Sequence, residues 1–314
     1  MKKFFRKLFS PLTVTILISL LEIIFLASLF GIIAYGSDII EARLGITFSI
    51  IYRAIVYIVD ILIFFRIIDK NENPEYKIPW IAFMAFFPTI TFIFYLFFAN
   101  HGLRKKDRVI LEPIYHILVE KFKLENEDIG AFGEDVPLNY RATFKYLRNT
   151  TNLTTTGGNH LTYYRNGETF FPALLESLKN AKEFIFMEFF IIGEGIWWNQ
   201  IEEVLIEKAK EGVEVRLIYD DMGSFGVIPN KYHEKMNKSG IKCYKFHPFK
   251  PILSGIYNNR DHRKIVVIDN KIAFTGGMNL ADEYANDEER FGYWKDTMVK
   301  IEGPAIINVI STFL

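Results

Sequence analysis

The chain has 314 residues, of which 50% are hydrophobic and 24% are charged, and this composition excludes a disordered chain, a collagen-like fibre and a disulfide scaffold. The 37 basic residues balance the 37 acidic ones, so net charge gives no indication of a nucleic-acid partner, and we expect none. The single cysteine, Cys243, has no partner for an internal disulfide and fits a reducing compartment.

Two long apolar stretches occupy the first third of the chain. Residues 12–35 contain one charge, Glu22, and residues 78–99 contain none. A helix needs about 20 apolar residues to cross the bilayer core, so both stretches are predicted to span a membrane. We expect the first to be a retained anchor rather than a signal peptide, because its apolar run is too long and no clear cleavage site follows it.

A third stretch, residues 46–65, has the length of a span but contains Arg53 and Asp60. These two residues are seven positions apart and therefore share one face of a helix. We expect the helix to span with this face turned inward, where Glu22 is a candidate partner for Arg53. The alternative is a helix that lies in the membrane interface.

Basic clusters flank the predicted spans on both sides, and they comprise Lys2, Lys3, Arg6 and Lys7 before the first span and Arg104, Lys105, Lys106 and Arg108 after the last. The positive-inside rule places both clusters in the cytoplasm, which requires an even number of crossings and leaves two or three crossings open. We expect a multi-pass protein of the cell membrane with a cytoplasmic C-terminal domain, because the second cluster leads directly into that domain.

After about residue 102, helix-like and strand-like segments alternate. The predicted helices are 109–124, 170–181, 200–212 and 230–239, and the predicted strands are 183–192, 213–219, 241–246, 264–269 and 271–274. The last two strands form a hairpin around Asp269 and Asn270. This alternation predicts an α/β domain with helices on a mixed sheet. The predicted divisions are an anchor helix (1–45), a membrane hairpin module (46–102), a helical connector with a Thr/Asn/Gly-rich loop at 149–159 (103–160), and the α/β domain (161–314).

The segment from 258 to 279, NNRDHRKIVVIDNKIAFTGGMN, contains the residues that indicate chemistry. In a strand, His262 and Lys264 point to one face, whereas Ile265 and Val267 point to the other face, toward a core. An imidazole and an ammonium are therefore presented together at one surface.

Two glycines and an asparagine follow the predicted hairpin. Gly276 and Gly277 allow a close approach of the backbone to a ligand, and Asn279 supplies an amide donor. Together with His262 and Lys264, these residues form a candidate phosphodiester site, in which the imidazole is the nucleophile.

The pattern His262-x-Lys264-x4-Asp269, followed by Gly276-Gly277-x-Asn279, resembles the signature of the phospholipase D superfamily. The flanking sequences are similar to bacterial cardiolipin synthases, notably in ALLESLKNAKEFIFMEFF, EKAKEGVEVRLIYDDMGS and GYWKDTMVKIEGPA. The resemblance runs from about residue 46 to the end of the chain, and it includes the pair of apolar stretches joined by the Asn73-Pro74 loop.

The resemblance implies a membrane-bound phosphatidyltransferase. His262 would attack the phosphorus of phosphatidylglycerol and release glycerol, and the hydroxyl of a second phosphatidylglycerol would resolve the phosphatidyl-histidine to cardiolipin. Lys264 and Asn279 would hold the non-bridging oxygens. The scheme requires no metal and no cofactor. The alternatives are a hydrolase or another phosphatidyltransferase that uses a different acceptor, and a non-catalytic half-enzyme.

The resemblance also implies an acidic residue that orients the nucleophilic histidine. We expect Asp296, which precedes the MVKIEGP segment, to take this role, with Glu283 as a weaker candidate. Asp269 belongs to the catalytic signature, but its strand parity puts it off the face of His262, and we expect it to be structural at the hairpin turn.

The chain departs from the family in carrying one such motif where the family has two, in two lobes that share one active site. His233 has a lysine two residues later, but its segment is predicted to be helical. We therefore expect a second phospholipase D-like lobe, and we expect 161–314 to be a first lobe that is truncated at its C-terminal end. The alternatives are a chain that is the N-terminal part of a longer enzyme, a truncated reading frame, and a one-motif protein completed by a homodimer partner.

Two further acidic features of the sequence have more than one interpretation. Glu188, in an apolar predicted strand, is either a site carboxylate or the buried partner of a basic residue. The pair Asp220-Asp221 before Gly223 most simply indicates a turn.

Overall fold

A computed structural model of the chain describes residues 35–36, 38–87, 109–114, 138–151, 156–248, 260–290 and 292–314, and the single positions 20, 24, 27, 28, 31, 91, 94, 95, 98, 99 and 116. The chain divides into two compact units, one formed by Met1–Leu103 with Lys250–Asn259 and the other by Arg104–Phe249 with Arg260–Leu314. Each unit is considered by itself.

The helices of the first unit include α1 (Ile46–Asp69) and α2 (Pro74–Phe86), and residues 38–44 are also helical. Helix α2 begins where Asn73 caps it, with the Asn73 side chain accepting the backbone N–H of Glu75 at 3.2 Å. The two helices pack through Ile63, Ile67 and Met84. Of the helices in the described ranges, α1 is the one long and apolar enough to cross a membrane.

The two charges of α1 have different surroundings. Asp60 is buried, as predicted, whereas the side chain of Arg53 is 55% exposed and lies 3.7 Å from the carboxylate of Asp38. The prediction that both charges turn inward is therefore wrong for Arg53, because both its side chain and that of Asp38 are exposed. The predicted partner Glu22, most of the predicted span 12–35 and much of 88–99 lie outside the described residues.

The second unit is an α/β domain with a mixed sheet, as predicted, and the sheet has seven strands. The strands are β1 (His160–Tyr164), β2 (Phe184–Phe189), β3 (Glu214–Asp220), β4 (Lys242–Phe246), β5 (Ile265–Ile268), β6 (Ile272–Gly276) and β7 (Met298–Glu302). Their order is β1-β7-β6-β5-β2-β3-β4. Strands β2, β3 and β4 are parallel, and every other neighbouring pair is antiparallel.

Helices cover both faces of the sheet. The described helices of this unit include α3 (Leu138–Thr151), α4 (Gly167–Lys179), α5 (Ile196–Lys210), α6 (Tyr232–Lys238) and α7 (Ile306–Phe313), with a 3₁₀ turn at Asp282–Ala285. The larger core lies between the sheet and α4, α5 and α6, and a smaller core lies beneath α7. Because both faces are buried, the central strands are almost continuously apolar.

The alternation in β5 assigns its side chains to the two cores. Ile265 and Val267 belong to the core beneath α7, whereas Val266 and Ile268 belong to the larger core. Both Ile265 and Val267 are therefore buried, as their parity predicted. The hairpin to β6 also forms at the predicted turn, where Asp269 and Asn270 take φ values of 52° and 51°. Asp and Asn tolerate this left-handed conformation better than most residues.

Some elements differ from the sequence predictions. Helix α3 continues to Thr151, so the predicted loop at 149–159 is wrong for its first three residues. Strands β1 and β7 were not predicted. They pair with each other, and β1 is at the edge of the sheet, with Leu161 and Tyr163 exposed, so neither has the apolar run of a central strand. The predicted connector 109–124 is described only at 109–114 and 116, where it is helical.

Candidate active site

Every strand of the sheet has one end at the edge where β7 begins, which we call the site end, and β1 finishes there because Tyr164 pairs with Met298. Strands β2, β3, β4 and β6 finish there, and β5 and β7 begin there, because the pairing registers bring Glu188, Ile265, Thr275, Gly276 and Met298 into adjacent rows. The loops that leave these strands are therefore neighbours although they are far apart in sequence. His262 and Lys264 lie on the loop that enters β5, and Gly277 and Asn279 lie on the loop that leaves β6.

His262 lies on the loop that enters β5. The strand begins at Ile265, so His262 and Lys264 precede the strand instead of lying in it as predicted. The two side chains nevertheless meet at one surface. The ring of His262 lies 4.8 Å from the ring of Phe190, and Lys264 Nζ lies 5.5 Å from the same ring. His262 is exposed, which leaves its imidazole open to a substrate.

Lys264 is a buried ammonium, only 2% exposed. Its Nζ donates a hydrogen bond to the backbone carbonyl of His262 at 2.7 Å, and this bond closes the loop between the two residues. Burial lowers the pKa of Lys264 to about 8, while the negative charges of Asp296 and Asp261 oppose the shift. A cation whose charge is this costly in the free protein is well suited to pair with an anionic phosphate.

Asn279 is buried behind the loop that leaves β6. Its Oδ1 accepts the backbone N–H of Ile191 at 2.9 Å, and its Nδ2 donates to the hydroxyl of Tyr284 at 2.7 Å. These bonds tie the end of β2 to the loop after β6. Since the amide carries two N–H groups, one remains for a further acceptor.

The two glycines accommodate the segment that enters β7. A Cβ at Gly276 would overlap the carbonyl oxygen of Thr297, and a Cβ at Gly277 would overlap the carboxylate of Asp296. The backbone N–H of Gly277 also donates to the carbonyl of Thr297 at 2.9 Å. Glycine at these positions therefore lets Asp296 approach the site end of the sheet.

The two candidate acids have different settings. Asp296 accepts the backbone N–H of Thr297 at 2.7 Å, and its charge acts on Lys264. Glu283 lies in the 3₁₀ turn, 3.8 Å from the guanidinium of Arg290. The geometry brings Asp296 into the electrostatic neighbourhood of Lys264, and its role in orienting His262 stays a prediction.

Asp269 lies at the opposite end of β5 from Lys264. Its carboxylate accepts the backbone N–H groups of Lys182, Glu183 and Phe184 at 2.7, 2.7 and 2.9 Å. These bonds fasten the start of β2 to the turn of the hairpin. The arrangement is that of a structural residue, which is the interpretation that its strand parity favoured.

Sequence reasoning missed several residues that position the loop. Phe190 forms the surface beneath His262 and Lys264, whereas the sequence pattern predicts it inside a continuous strand. Asp220, buried at the end of β3, accepts N–H groups of Met222 and Gly223, as a turn residue does, but it also binds Arg260 and the backbone of Asp261. The charged residues that flank His262 in the sequence, Arg260, Asp261 and Arg263, are the feature that could have indicated these contacts.

Glu188 is the buried partner of a basic residue, one of its two open interpretations. Its Oε1 lies 2.6 Å from Nη2 of Arg263. Within the described part of the chain, no group of three or more His, Cys, Asp and Glu side chains is arranged to hold a metal ion.

Two sequence families match the chain. Residues 174–312 match the family described as cardiolipin synthase, phospholipase D-like domain, and residues 58–100 match the family described as phospholipase D-nuclease N-terminal. The first match contains His262, Lys264, Asn279 and Asp296.

Similar proteins share these regions. An uncharacterized protein of Streptococcus mutans is 36% identical over 237 residues, which are 76% of this chain and 51% of that protein. A cardiolipin synthase of Alkalihalophilus pseudofirmus is 32% identical over 295 residues, which are 92% of this chain and 57% of that protein. The solved structure of NucT from Helicobacter pylori has 16% identity and a TM-score of 0.38, over 50% of this chain and 93% of NucT. The chain spans about half the length of the curated relatives it matches.

Proposed function

We propose that the chain is part of a phosphatidyltransferase that makes cardiolipin, because residues 174–312 match the family described as cardiolipin synthase, phospholipase D-like domain. The substrate is phosphatidylglycerol, and the products are cardiolipin and glycerol. The observation that carries the proposal is the pairing of an exposed imidazole, His262, with a buried ammonium, Lys264, at the site end of the sheet.

The reaction proceeds in two displacements at phosphorus. A nitrogen of His262 attacks the phosphorus of one phosphatidylglycerol, so a P–N bond forms and the bond from phosphorus to the glycerol headgroup oxygen breaks. The departing glycerol takes up a proton. The headgroup hydroxyl of a second phosphatidylglycerol then attacks the same phosphorus and gives up its proton, which breaks the P–N bond and restores His262. Each step is easier than a single direct exchange.

The protein stabilises the charge that develops on the non-bridging oxygens. Lys264 supplies a positive charge in a site sheltered from water, where the interaction with the phosphoryl oxygens is strong. The N–H of Asn279 that is not committed to Tyr284 supplies a second donor. Asp296 orients His262 through the ring nitrogen that does not attack.

A second lobe supplies the acid that protonates the departing glycerol. The 314-residue sequence carries one His-x-Lys-x4-Asp motif, and one imidazole cannot act as both nucleophile and proton donor in the same step. We propose that the second imidazole comes from a further phospholipase D-like lobe or from a second copy of this chain.

We propose that the first unit anchors the chain in the membrane that contains its substrate. Helix α1 is the candidate span, and we propose that the apolar stretches at 12–35 and 78–99 add further crossings with the α/β domain in the cytoplasm. Such anchoring confines the enzyme to the plane in which its lipid substrate diffuses.

Trapping of the phosphatidyl-enzyme tests the proposal. The full chain, reconstituted with its partner lobe, is quenched after mixing with phosphatidylglycerol labelled with radioactive phosphorus. We expect label on the wild-type chain and none on His262→Ala. The matched control is His233→Ala, because His233 has the same spacing to a lysine but lies on α6, and this variant should label normally.

The same experiment distinguishes the acceptors. A chase with unlabelled phosphatidylglycerol should convert the label to cardiolipin, whereas release as phosphatidic acid in the presence of that lipid would identify a hydrolase. Label that persists on His262→Ala, with the histidine of the partner lobe also replaced, would contradict the covalent scheme.

A further inference from the structure

A cluster of charged side chains lies beside the loop that carries His262 and Lys264. The guanidinium of Arg263 binds both oxygens of Asp261, with Nε to Oδ1 and Nη2 to Oδ2 each at 3.0 Å. The same guanidinium reaches Glu188 on β2 and the backbone carbonyl of Thr312 on α7. One side chain thus joins the loop, the sheet and a helix.

Glu188 occupies an apolar position. It stands between Ile218 of β3 and Ile265 of β5 in the sheet and is 1% exposed. Its Oε1 accepts from Arg263, whereas its Oε2 is buried and accepts no hydrogen bond from any described residue. A charged carboxylate with one oxygen in such surroundings is costly, so the neutral acid is favoured.

The carboxyl groups of the cluster differ in their hydrogen-bond partners. Three carboxyl groups, Asp220, Asp261 and Glu188, pair with the guanidinium groups of Arg260 and Arg263. Asp220 and Asp261 accept several N–H donors, whereas Glu188 interacts with Arg263 and with the carboxyl of Asp261. Two carboxyl groups can share a hydrogen bond only if one of them carries the proton.

The pKa values of the pair are displaced in opposite directions. Burial, together with the neighbouring Asp261, raises the pKa of Glu188 to about 9 despite the opposing charge of Arg263. Burial also acts to raise the pKa of Asp261, but hydrogen bonds from Arg263 and from protonated Glu188 outweigh it and hold that pKa at about 2.

We propose that Glu188 acts in its neutral form as a positioning residue, which holds Asp261 and Arg263 and thereby fixes the loop that presents His262 and Lys264. Asp261 is anchored through its backbone N–H to Asp220 at 3.3 Å, and the backbone N–H of Arg263 donates to Asp261 Oδ1 at 3.0 Å. His262 lies between these two anchored residues. The effect of this device on turnover rests on the proposed function, whereas its effect on the loop does not.

Two substitutions of Glu188 in the full chain show whether its role needs a neutral hydrogen-bonding group, an ionised carboxylate or only the volume of the side chain. Glu188→Gln keeps a neutral group that can accept from Arg263 and donate to Asp261, whereas Glu188→Leu removes both hydrogen bonds at similar volume. Glu202→Gln is the matched control, since Glu202 is also a buried carboxylate paired with a cation, Lys235, but on α5. Thermal unfolding identifies which variants are folded.

Hydrogen exchange and labelling kinetics are then measured on each variant. In Glu188→Leu, the amides of Asp261 and Arg263 should exchange faster, and kcat for phosphatidyl-enzyme formation should fall by about 100-fold with little change in KM, as expected for a small displacement of the nucleophile. Glu188→Gln and Glu202→Gln should keep the wild-type exchange and rate. If Glu188→Leu does not fold, Arg263→Lys, which keeps the charge but loses the two-pronged contact, should loosen the same amides.

Two outcomes overturn the inference. Exchange and rate that stay at the wild-type level in the folded Glu188→Leu variant, or in Arg263→Lys where the former does not fold, mean that the cluster does not hold the loop. A Glu188→Gln variant as impaired as Glu188→Leu means that the ionised carboxylate is required. A wild-type chain that forms no phosphatidyl-enzyme contradicts the proposed function instead, and the exchange pattern still decides the positioning role.

Discussion

The two ends of strand β5 carry opposite charges, and the two charged groups differ in how many hydrogen bonds they make. At the site end, Lys264 is buried and its ammonium has one hydrogen bond within the described chain, to the carbonyl of His262. At the other end, the carboxylate of Asp269 accepts three backbone N–H groups. Lys264 and Asp269 belong to the same sequence motif, but the four-residue strand between them puts the two side chains at opposite ends of the sheet.

This contrast separates the reactive part of the signature from its scaffold. Burial opposes the charge of Lys264 and lowers its pKa to about 8, so an anionic ligand would relieve an existing cost. The carboxylate of Asp269 already accepts hydrogen bonds from the backbone at the start of β2. Perturbed groups in a cleft are candidates for function, whereas satisfied groups are candidates for stability.

Replacement of Lys264 by methionine should have the largest effect on activity. Lys264→Met keeps the length of the side chain but removes the charge, and we expect the rate of phosphatidyl-enzyme formation to fall by about 10²–10³-fold. Stability should not fall, because an apolar group replaces a buried cation. Labelling rate and melting temperature are the two measurements.

A second buried lysine provides the control for this change. Lys208 on α5 is also buried but is paired with Glu211 at 2.8 Å. Lys208→Met should leave the labelling rate unchanged. If Lys264→Met retained wild-type labelling while its melting temperature fell, the ammonium would be structural and the contrast between the two ends would be lost.

Replacement of Asp269 should have the opposite profile. Asp269→Ala leaves the N–H groups of Lys182, Glu183 and Phe184 without their acceptor, and we expect a loss of about 3 kcal/mol in the free energy of unfolding. Asp269→Asn, which keeps one oxygen acceptor, should lose less. Urea unfolding measures the stability, and labelling at low temperature measures the residual activity, which should stay within a few-fold of wild type. Loss of labelling with unchanged stability would make Asp269 catalytic.

Much of the domain could be predicted from local pattern. The hairpin of β5 and β6, the burial of Ile265 and Val267, and the turn at Asp269 and Asn270 follow from alternation and turn chemistry within one short segment. Strands β1 and β7 could not be found this way, because they are stabilised by pairing with each other across most of the domain. Their own residues alternate too weakly to indicate a strand.

The residues of the site also fall into those that local sequence identifies and those that depend on strand pairing. His262 and Lys264 follow each other in one loop, so the sequence identifies both. The partnership of Glu188 with Arg263 depends on the antiparallel register of β2 and β5, which local pattern does not specify. The choice between Asp296 and Glu283 likewise depends on where β7 enters the sheet.

The pH dependence of the reaction distinguishes these two acids, and it is the smallest effect that we predict. Lys264 is cationic below its pKa of about 8 and neutral above it, so kcat/KM for labelling should fall as the pH rises through about 8. The negative charge of Asp296 raises the pKa of Lys264. Asp296→Asn removes this charge and should move the fall to lower pH by a fraction of a unit, which is less than about 1.4 kcal/mol.

Glu283→Gln is the matched control for this shift. Its carboxylate is paired with Arg290 and is not among the charges that act on Lys264, so the alkaline fall should stay where it is in the wild type. The position of the fall is informative even if Asp296→Asn also lowers the maximal rate, because a weaker nucleophile changes the height of the profile while the ammonium sets its alkaline limit. If the alkaline fall is unshifted in Asp296→Asn but shifted in Glu283→Gln, then Glu283 is the carboxylate that acts on Lys264, and the prediction is wrong.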